Sequence, residues 1–99
     1  MIELTWSPRA AADLEEIRDY IAVDSAVYAD LTVRRLVAAV ERLRQFPDLG
    51  PVVPERESIE LREIITGRFR IVYRRRTDGN DVEIVTVVRG SRQFPHIAP

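Results

Sequence analysis

Cysteine and lysine are both absent from this sequence of 99 residues, and histidine occurs once, at His96. Without cysteine the chain can form no disulfide and no thiolate metal site, and it has no thiol nucleophile. Without lysine it has no side-chain amine to act as a base, a Schiff-base partner or a phosphate ligand. A single histidine excludes metal sites built on two histidines, and the sequence shows neither zinc-ligand spacing nor a glycine-rich phosphate loop. The sequence therefore predicts a protein that uses no metal and no cofactor.

Long apolar runs are missing as well. No stretch approaches the roughly 18 consecutive apolar residues that a membrane span requires. Residues 1–6 lack the basic and then apolar layout of a signal peptide. With 45% hydrophobic and 31% charged residues the composition is that of an ordinary globular protein, and the length suits one domain spanning residues 1–99. We expect a cytoplasmic protein that makes no contact with a membrane.

Arginine supplies all 15 basic residues, and it is unevenly distributed. The formal net charge is −1, but residues 1–50 carry six arginines against nine acids, whereas residues 51–99 carry nine arginines against seven acids. A guanidinium binds carboxylate and phosphate groups in a bidentate manner, so the second half suits an acidic or phosphate-rich partner. A GC-rich genome would also favour arginine over lysine, without functional meaning.

Two amphipathic helices are predicted in the first half of the chain. Ser7 supplies an N-cap oxygen and Pro8 fits the first helical position, so a helix should run from there to about Ala22. Ser25 is a second N-cap candidate, and the next helix should span about residues 26–46. Apolar side chains recur at helical spacing in both helices: Ala10, Leu14, Ile17 and Ile21, then Ala29, Val33, Leu36, Val40 and Leu43. The short connection predicts an antiparallel helical hairpin.

Short β-rich runs account for most of the remainder. Residues 2–6 alternate apolar and polar, as a half-buried strand does. Three further runs, at about residues 59–66, 68–75 and 81–89, are separated by the turn signals Thr66-Gly67 and Asp78-Gly79 and should pair antiparallel in sequence order. The predicted fold is α+β with the order β-α-α-β-β-β, in which the helical hairpin packs on one face of a small antiparallel sheet. The opposite face of the sheet is expected to be free.

Arginine side chains are expected on that free face. The two-residue period of a strand directs Ile71 towards the helices and Arg70 away from them. Arg62 in the preceding strand, with Arg89 and Arg92 around the end of the last strand, could join Arg70 there. Together they would form a site for phosphate or carboxylate groups. The alternative is that some of these arginines, above all the triplet at residues 74–76, only solvate a hairpin end and protect a sheet edge.

The apolar surface of the second helix is wider than one sheet face requires, because Leu31 and Val37 flank its central stripe. These two side chains either broaden the core or bind a partner. The interpretations differ in whether the two side chains are buried or accessible in the folded chain.

Several blocks of residues, each weak alone, occur together along the chain. They are Trp6-Ser7-Pro8-Arg9-Ala10 with Asp13-Leu14 and Ile17, then Phe46-Pro47-x-Leu49-Gly50, Leu61-Arg62-Glu63, Gly67-x-Phe69-Arg70-Ile71-Val72-Tyr73 and Val87-x-x-Gly90-x-Arg92. In this order they resemble the RelE/ParE superfamily of toxins, and the second and third blocks are closer to its ParE branch. The resemblance implies the β-α-α-β-β-β fold and the toxin half of a bacterial type II toxin–antitoxin pair.

A toxin of this kind implies a partner. The partner would be a small acidic DNA-binding antitoxin, encoded beside the toxin, that neutralises it in a toxin–antitoxin hetero-oligomer. We expect the antitoxin to lie across exposed apolar surface of the helical hairpin, including Leu31 and Val37, or along a sheet edge. Such an interface should bury on the order of 1,500 Å² or more.

The ParE branch implies an activity that rests on binding. ParE-like members bind DNA gyrase and trap or inhibit it, and they lack the residues of a nuclease. In that case Arg62, Arg70, Arg89 and Arg92 are predicted to contact the target, and no catalytic residue is expected.

The RelE branch implies an enzyme instead. RelE-like members are ribosome-dependent mRNA interferases, and as such an endoribonuclease the chain would hold the scissile phosphate with Arg70 and Arg92. Glu63 would act as base and His96 as acid. The lysines characteristic of RelE and its aromatic residue near the C-terminus have no counterpart here, which favours the ParE-like activity. A third alternative is a non-toxic relative whose main partner is its antitoxin.

Overall fold

The computed structural model describes residues 2–53, 61–75 and 80–90. Its helices and strands follow the predicted order: β1 (Glu3–Trp6), α1 (Pro8–Ala22), α2 (Ala26–Glu41), β2 (Arg62–Thr66), β3 (Phe69–Arg75) and β4 (Asp81–Arg89). A short 3-10 turn, Arg42–Arg44, continues α2. The predicted start of the β2 run at residue 59 and the predicted turn at Asp78-Gly79 lie outside the described residues.

Serine caps determine where both helices begin. Ser7 Oγ accepts a hydrogen bond from the Ala10 N–H at 3.0 Å, and Ser25 Oγ accepts one from the Tyr28 N–H at 3.0 Å. Each cap contributes about 1 kcal/mol to helix stability, and both predicted starts are confirmed. The helical path stops short of the predicted residue 46, because the proline that follows disfavours helical geometry at the residue before it.

The sheet has the strand order β1-β4-β3-β2 and is mixed. β2 pairs with β3, and β3 with β4, in the predicted antiparallel sense. β1 pairs parallel with β4, so that Leu4 lies opposite Val82 and Trp6 opposite Ile84. A wholly antiparallel sheet was expected, and the parallel pairing of β1 with β4 corrects that expectation. Turn signals specify the sense of pairing only for strands that a hairpin joins, and no hairpin joins β1 to β4.

The main core lies between the helices and the sheet. Its buried members come from both helices, the 3-10 turn, β3 and β4: Ala10, Leu36, Val40, Leu43, Ile71, Tyr73, Val82, Ile84 and Val87. Leu14 and Ile17 of α1 pack against this cluster, as their helical spacing predicts. The apolar stripes of both helices are therefore confirmed as core-facing.

The opposite face of the sheet is not free. Val72 and Val85 are buried there against Val53 and Leu61, which belong to the chain between α2 and β2. The Val53 N–H donates a hydrogen bond to the Leu61 carbonyl at 2.7 Å. Val53 and Leu61 therefore cover part of the face, and strand periodicity did not reveal them because both residues lie outside the strands.

An irregularity in β4 determines which of its side chains face the helices. The pairing register with β3 shifts within the strand, so that Ile84 and Val87 both join the main core while Val85 lies on the opposite face. α1 is attached at this point, because Asp13 Oδ2 accepts hydrogen bonds from the Val87 N–H, at 3.1 Å, and from the Thr86 hydroxyl. The contact fixes the position of α1 on the sheet.

Candidate functional site

Four arginines of the sheet hold internal carboxylate partners, and we call them the paired arginines: Arg62, Arg70, Arg74 and Arg75. Arg70 Nη2 lies 2.5 Å from Glu63 Oε2, with the two side chains only 12% and 18% exposed. Arg74 Nη2 lies 2.9 Å from Glu83 Oε1, its direct cross-strand neighbour. Strand register thus places a carboxylate beside both guanidiniums that point away from the helices.

The other two paired arginines share one carboxylate. Arg75 Nη1 lies 3.1 Å from Asp48 Oδ1, and Arg62 Nε lies 3.7 Å from the same atom. Arg62 Nη1 also donates a hydrogen bond to the Gly50 carbonyl at 2.8 Å. These contacts fasten the chain that follows α2 to the end of the sheet.

Tyr73 holds the same segment from inside the core. Its hydroxyl accepts a hydrogen bond from the Gly50 N–H at 2.9 Å. Burial raises the pKa of Tyr73 above its ordinary value, and the hydrogen bond from Gly50 partly opposes that shift. A Cβ on Gly50 would lie 2.1 Å from the Glu63 carbonyl oxygen, so only glycine fits this close approach.

The residues predicted for a nuclease are only partly assembled. The structure brings Glu63 and Arg70 together, but as partners of each other. Arg92 and His96 lie outside the described residues, so their roles stay predictions. A base must be able to reach the proton that it accepts, whereas Oε2 of Glu63 contacts Arg70 and the Glu63 side chain is only 18% exposed.

The predicted target-binding arginines do not share one surface. Arg70 points away from the helices, whereas Arg62 and Arg89 lie directly opposite Tyr73 and Phe69 and so share the helix-facing side. Arg62 and Arg70 are half-buried and hold internal partners, whereas Arg89 is exposed at the end of β4. Of the three described members of the predicted set, Arg89 is the most accessible.

A second group of arginines surrounds a cleft of about 650 Å³ between the helices and the β2–β3 turn. We call it the open-arginine cleft and define it by six of its lining residues: Tyr20, Tyr28, Arg35, Arg68, Phe69 and Arg89. Tyr20 lies near the end of α1, and Tyr28 and Arg35 lie two turns apart on one side of α2. Phe69 and Arg89 belong to β3 and β4, and Arg68 lies in the β2–β3 turn.

Local backbone geometry places Arg68 at the mouth of this cleft. Gly67, the residue before it, adopts a φ of 58°, a left-handed conformation that glycine takes without strain. The Gly90 N–H donates a hydrogen bond to the Arg68 carbonyl at 2.6 Å, which ties the turn to the end of β4. The turn and the strand end therefore present Arg68 and Arg89 side by side.

The cleft arginines have no carboxylate partner within the described residues. No acid of residues 2–53, 61–75 or 80–90 lies within ion-pair distance of Arg35, Arg68 or Arg89. The Arg89 guanidinium lies 5.0 Å from the centre of the Tyr20 ring, a cation–π contact worth about 0.5–1 kcal/mol at an exposed site. The cleft thus offers hydrogen-bond donors to a ligand.

Sequence reasoning missed Arg35, Arg68 and the two tyrosines of the cleft. A signal for Arg68 was present, because a residue that follows a turn glycine is normally exposed. Tyr28 and Arg35 are separated by seven residues, a spacing that places them on one side of a helix. However, this side of α2 lies close to the β2–β3 turn only because distant segments pack together. The spacing of residues in the sequence does not reveal such packing.

Aliphatic side chains are exposed on a neighbouring surface of the helical hairpin. Val23, Val27 and Leu31, which we call the aliphatic stripe, are 84%, 81% and 41% exposed. Val37 is 37% exposed and lies about 120° around α2 from Leu31. Leu31 and Val37 are thus both accessible, but they do not form one surface.

Within the described parts of the chain, no group of three or more histidine, aspartate or glutamate side chains could hold a metal ion. No described helix is both long enough and apolar enough to cross a bilayer.

Known proteins with similar sequences are toxins of toxin–antitoxin systems or are named as toxins. The family described as "ParE toxin of type II toxin-antitoxin system, parDE" matches residues 4–94. "Toxin RelE2" of Caulobacter vibrioides is 35% identical over 65 residues, which are 66% of this chain and 69% of that protein. "Putative toxin Y4kP" of Sinorhizobium fredii is 32% identical over 94 residues, 95% of this chain and 94% of that protein.

A solved structure shows the same architecture. Its title is "Chromosomal ParDE TA system from P. aeruginosa", and it matches with a TM-score of 0.70 at 27% sequence identity. The match covers 90% of this chain and 96% of that chain. The helical hairpin on a four-stranded sheet is therefore a fold that a toxin–antitoxin system uses.

Proposed function

Because the chain belongs to the ParE toxin family of type II toxin–antitoxin systems, we propose that it inhibits DNA gyrase by binding to it. The chain is the toxin component of such a system, and its partner is a cognate antitoxin. The gyrase proposal makes the cytoplasm its site of action. It also makes the protein an inhibitor that acts by contact and has no catalytic residues of its own.

The contact between Glu63 and Arg70 carries the proposal. A ribonuclease of this fold needs a carboxylate that is free to accept a proton and a cation that is free to hold the phosphate. Here the carboxylate and the guanidinium neutralise each other at 2.5 Å, and less than a fifth of each side chain is exposed. This arrangement supports a toxin that acts by contact.

The arginines without an internal partner are the best candidates for touching the target. Arg89 is exposed at the open-arginine cleft, where Arg35 and Arg68 join it. Arg62 and Arg70 would have to exchange their internal partners before they could contact another protein. Arg92 follows Arg89 by three residues and stays a predicted contact.

The aliphatic stripe is the surface we propose for the antitoxin. Val27 and Leu31 are exposed apolar neighbours on α2, Val23 is exposed at the end of α1, and an amphipathic antitoxin segment would bury them. Tyr28 and Arg35 of the cleft are near neighbours of Leu31 on α2, so a bound antitoxin would also obstruct the cleft. Val37 would be covered only if the antitoxin wraps further around α2.

Similarity to RelE2 supports a second candidate, a ribosome-dependent mRNA interferase. In this case Arg70 and Arg92 would hold the phosphate, and Glu63 and His96 would be base and acid. The candidate requires the Glu63–Arg70 contact to open on the ribosome, which would leave Glu63 free.

Supercoiling of a relaxed plasmid by purified gyrase tests the proposal. We expect excess toxin to block supercoiling, and the antitoxin to restore it when added first. Arg89→Ala should weaken inhibition, while Arg34→Ala serves as the matched control, because Arg34 is exposed on α2 but pairs with Asp30 at 3.1 Å.

A translation reaction distinguishes the two candidates. The gyrase inhibitor should leave ribosome-bound mRNA intact, whereas an interferase would cleave it and lose that activity in Glu63→Gln. Normal supercoiling in the presence of excess folded toxin would overturn the gyrase proposal.

A further inference from the structure

The open-arginine cleft is lined by exposed aromatic side chains as well as arginines. Inhibition of gyrase by contact does not by itself require a cleft with such a lining. The two most exposed apolar side chains of the cleft are aromatic, because Tyr20 is 66% and Tyr28 is 54% exposed, and the side chains of Phe69 and Ile21 form part of the wall. The volume of about 650 Å³ lies within the roughly 300–1,000 Å³ range of ligand pockets. The cleft is therefore large enough for a planar ligand group with a substituent.

Positive charge is concentrated at this cleft although the chain as a whole carries a formal charge of −1. Three guanidiniums line it, those of Arg35, Arg68 and Arg89, against one described carboxylate, that of Asp24. The three arginines lack a carboxylate partner within the described residues. Their N–H groups are therefore not held by an ion pair to any described residue. Planar guanidiniums of this kind bind phosphate oxygens bidentately.

Aromatic rings and guanidiniums meet at the open-arginine cleft. Leu31 lies three residues from Tyr28 and four from Arg35, so it borders the cleft on α2, but it is not one of the lining residues. A peptide groove would mix aliphatic pockets with its polar groups, as the grooves that receive amphipathic helices do. The accessible side chains of the cleft are mainly rings and guanidiniums, whereas Ile21 is partly exposed and Leu36 is buried in its wall. Rings combined with guanidiniums are the pairing used to hold single-stranded nucleic acid.

We propose that the open-arginine cleft binds a single-stranded nucleic-acid segment, with one base stacked on Tyr28 and the adjoining phosphates held by Arg35, Arg68 and Arg89. A duplex would not fit, because its bases are already stacked on one another and cannot reach the ring. Tyr28 is the platform because the Arg89 guanidinium already lies over the Tyr20 ring. Stacking on a tyrosine tolerates any base, so binding should depend on strandedness and salt more than on sequence.

The site rests on the cleft alone and does not depend on gyrase being the target. Its test therefore uses full-length purified toxin without gyrase, ribosomes or antitoxin. Fluorescence anisotropy would measure binding to labelled oligothymidylate and oligouridylate of about ten nucleotides, with the matching duplex as a third probe. Equal binding of both single strands indicates recognition of shared base and phosphate chemistry, whereas a preference for one assigns the site to DNA or to RNA.

Substitutions in the cleft separate stacking from charge. Tyr28→Ala should weaken binding about tenfold at every salt concentration, while Tyr28→Phe, which keeps the ring, should bind like the wild type. Arg68→Ala combined with Arg89→Ala should weaken binding and make it less sensitive to salt, because fewer counterions are released. Arg34→Ala, which changes an exposed arginine outside the cleft, should have no such effect.

Three results would overturn the proposal. They are failure of folded wild-type toxin to bind either single strand at low salt, equal losses from Arg34→Ala and Arg68→Ala, and tighter binding of the duplex. Displacement of the oligonucleotide by an acidic peptide that binds more tightly would assign the cleft to a protein ligand instead. A toxin that blocks gyrase but binds no oligonucleotide would refute this inference and leave the gyrase proposal standing.

Discussion

The paired arginines and the open-arginine cleft use the same side chain in opposite ways. Glu63 lies diagonally across the β2–β3 ladder from Arg70, and Glu83 lies directly across from Arg74. At the cleft, the cross-strand neighbour of Arg89 is Phe69, and Arg68 lies in a turn that has no partner strand. A guanidinium stabilises the fold where a carboxylate lies within reach, either across the ladder or, for Arg62 and Arg75, at Asp48 after α2. Where the described residues supply no carboxylate, the guanidinium remains available to a ligand.

Substitution of Glu63 should produce the largest effect on stability. Glu63→Gln leaves the Arg70 guanidinium largely buried beside a neutral amide, and breaking a buried ion pair in this way costs on the order of 3 kcal/mol. Urea denaturation would measure the loss in unfolding free energy. Glu41→Gln is the matched control, because Glu41 pairs with Arg44 on an exposed surface, where an ion pair contributes about 0.2–1 kcal/mol. Equal losses in the two variants would remove the distinction between buried and exposed arginine pairs.

Tyr73→Phe should have the next largest effect. The substitution leaves the buried Gly50 N–H without its acceptor, which costs about 1–2 kcal/mol, and loosens the segment that Arg62 and Arg75 also hold. Thermal and urea unfolding at neutral pH would detect the change. A loss as large as that of Glu63→Gln would indicate that the tyrosine, more than the ion pairs, holds this segment.

Alkaline pH tests the same contact with the wild-type residue in place. Burial raises the pKa of Tyr73 above the value of 10.0 that it has when unfolded, so the folded state retains the phenol proton more strongly. The stabilisation is fully present below the unfolded pKa and is lost as pH rises from about 10 through the folded pKa. Tyr73→Phe should fall less steeply in unfolding free energy over that range. An equally steep alkaline fall in both proteins would contradict this assignment.

Much of the fold could be predicted because it depends on local signals. Ser7 and Ser25 specify the helix starts through side-chain oxygens that act within three residues, and Gly67 specifies the β2–β3 turn through one backbone conformation. The parallel pairing of β1 with β4 and the packing of Val53 and Leu61 on the far sheet face could not be predicted in the same way. Both depend on contacts between distant parts of the chain, for which no local residue pattern exists.

The candidate site shows the same limit at the level of single side chains. The turn at Gly67 already fixes the register that puts Glu63 near Arg70, so this ion pair could have been predicted from the sequence. The sequence interpretation instead assigned Arg70 to a free face. The convergence of Tyr28 and Arg35 with Arg68 could not be predicted, because it requires the distance between α2 and the β2–β3 turn. Arg89 was predicted to contact the target, and that role stays a prediction.

Arg89→Ala should have the smallest effect on stability and a clear effect on function. Its guanidinium is exposed and contributes only a surface cation–π contact with Tyr20, so the unfolding free energy should change by less than about 1 kcal/mol. Inhibition of gyrase should nevertheless weaken, because the removed donors have no described internal acceptor and face the cleft. Urea denaturation and the supercoiling assay, applied to one preparation, would measure both quantities. If Arg89→Ala instead destabilised the fold as strongly as Glu63→Gln, the cleft arginine would be structural, and the contrast between the two groups of arginines would fail.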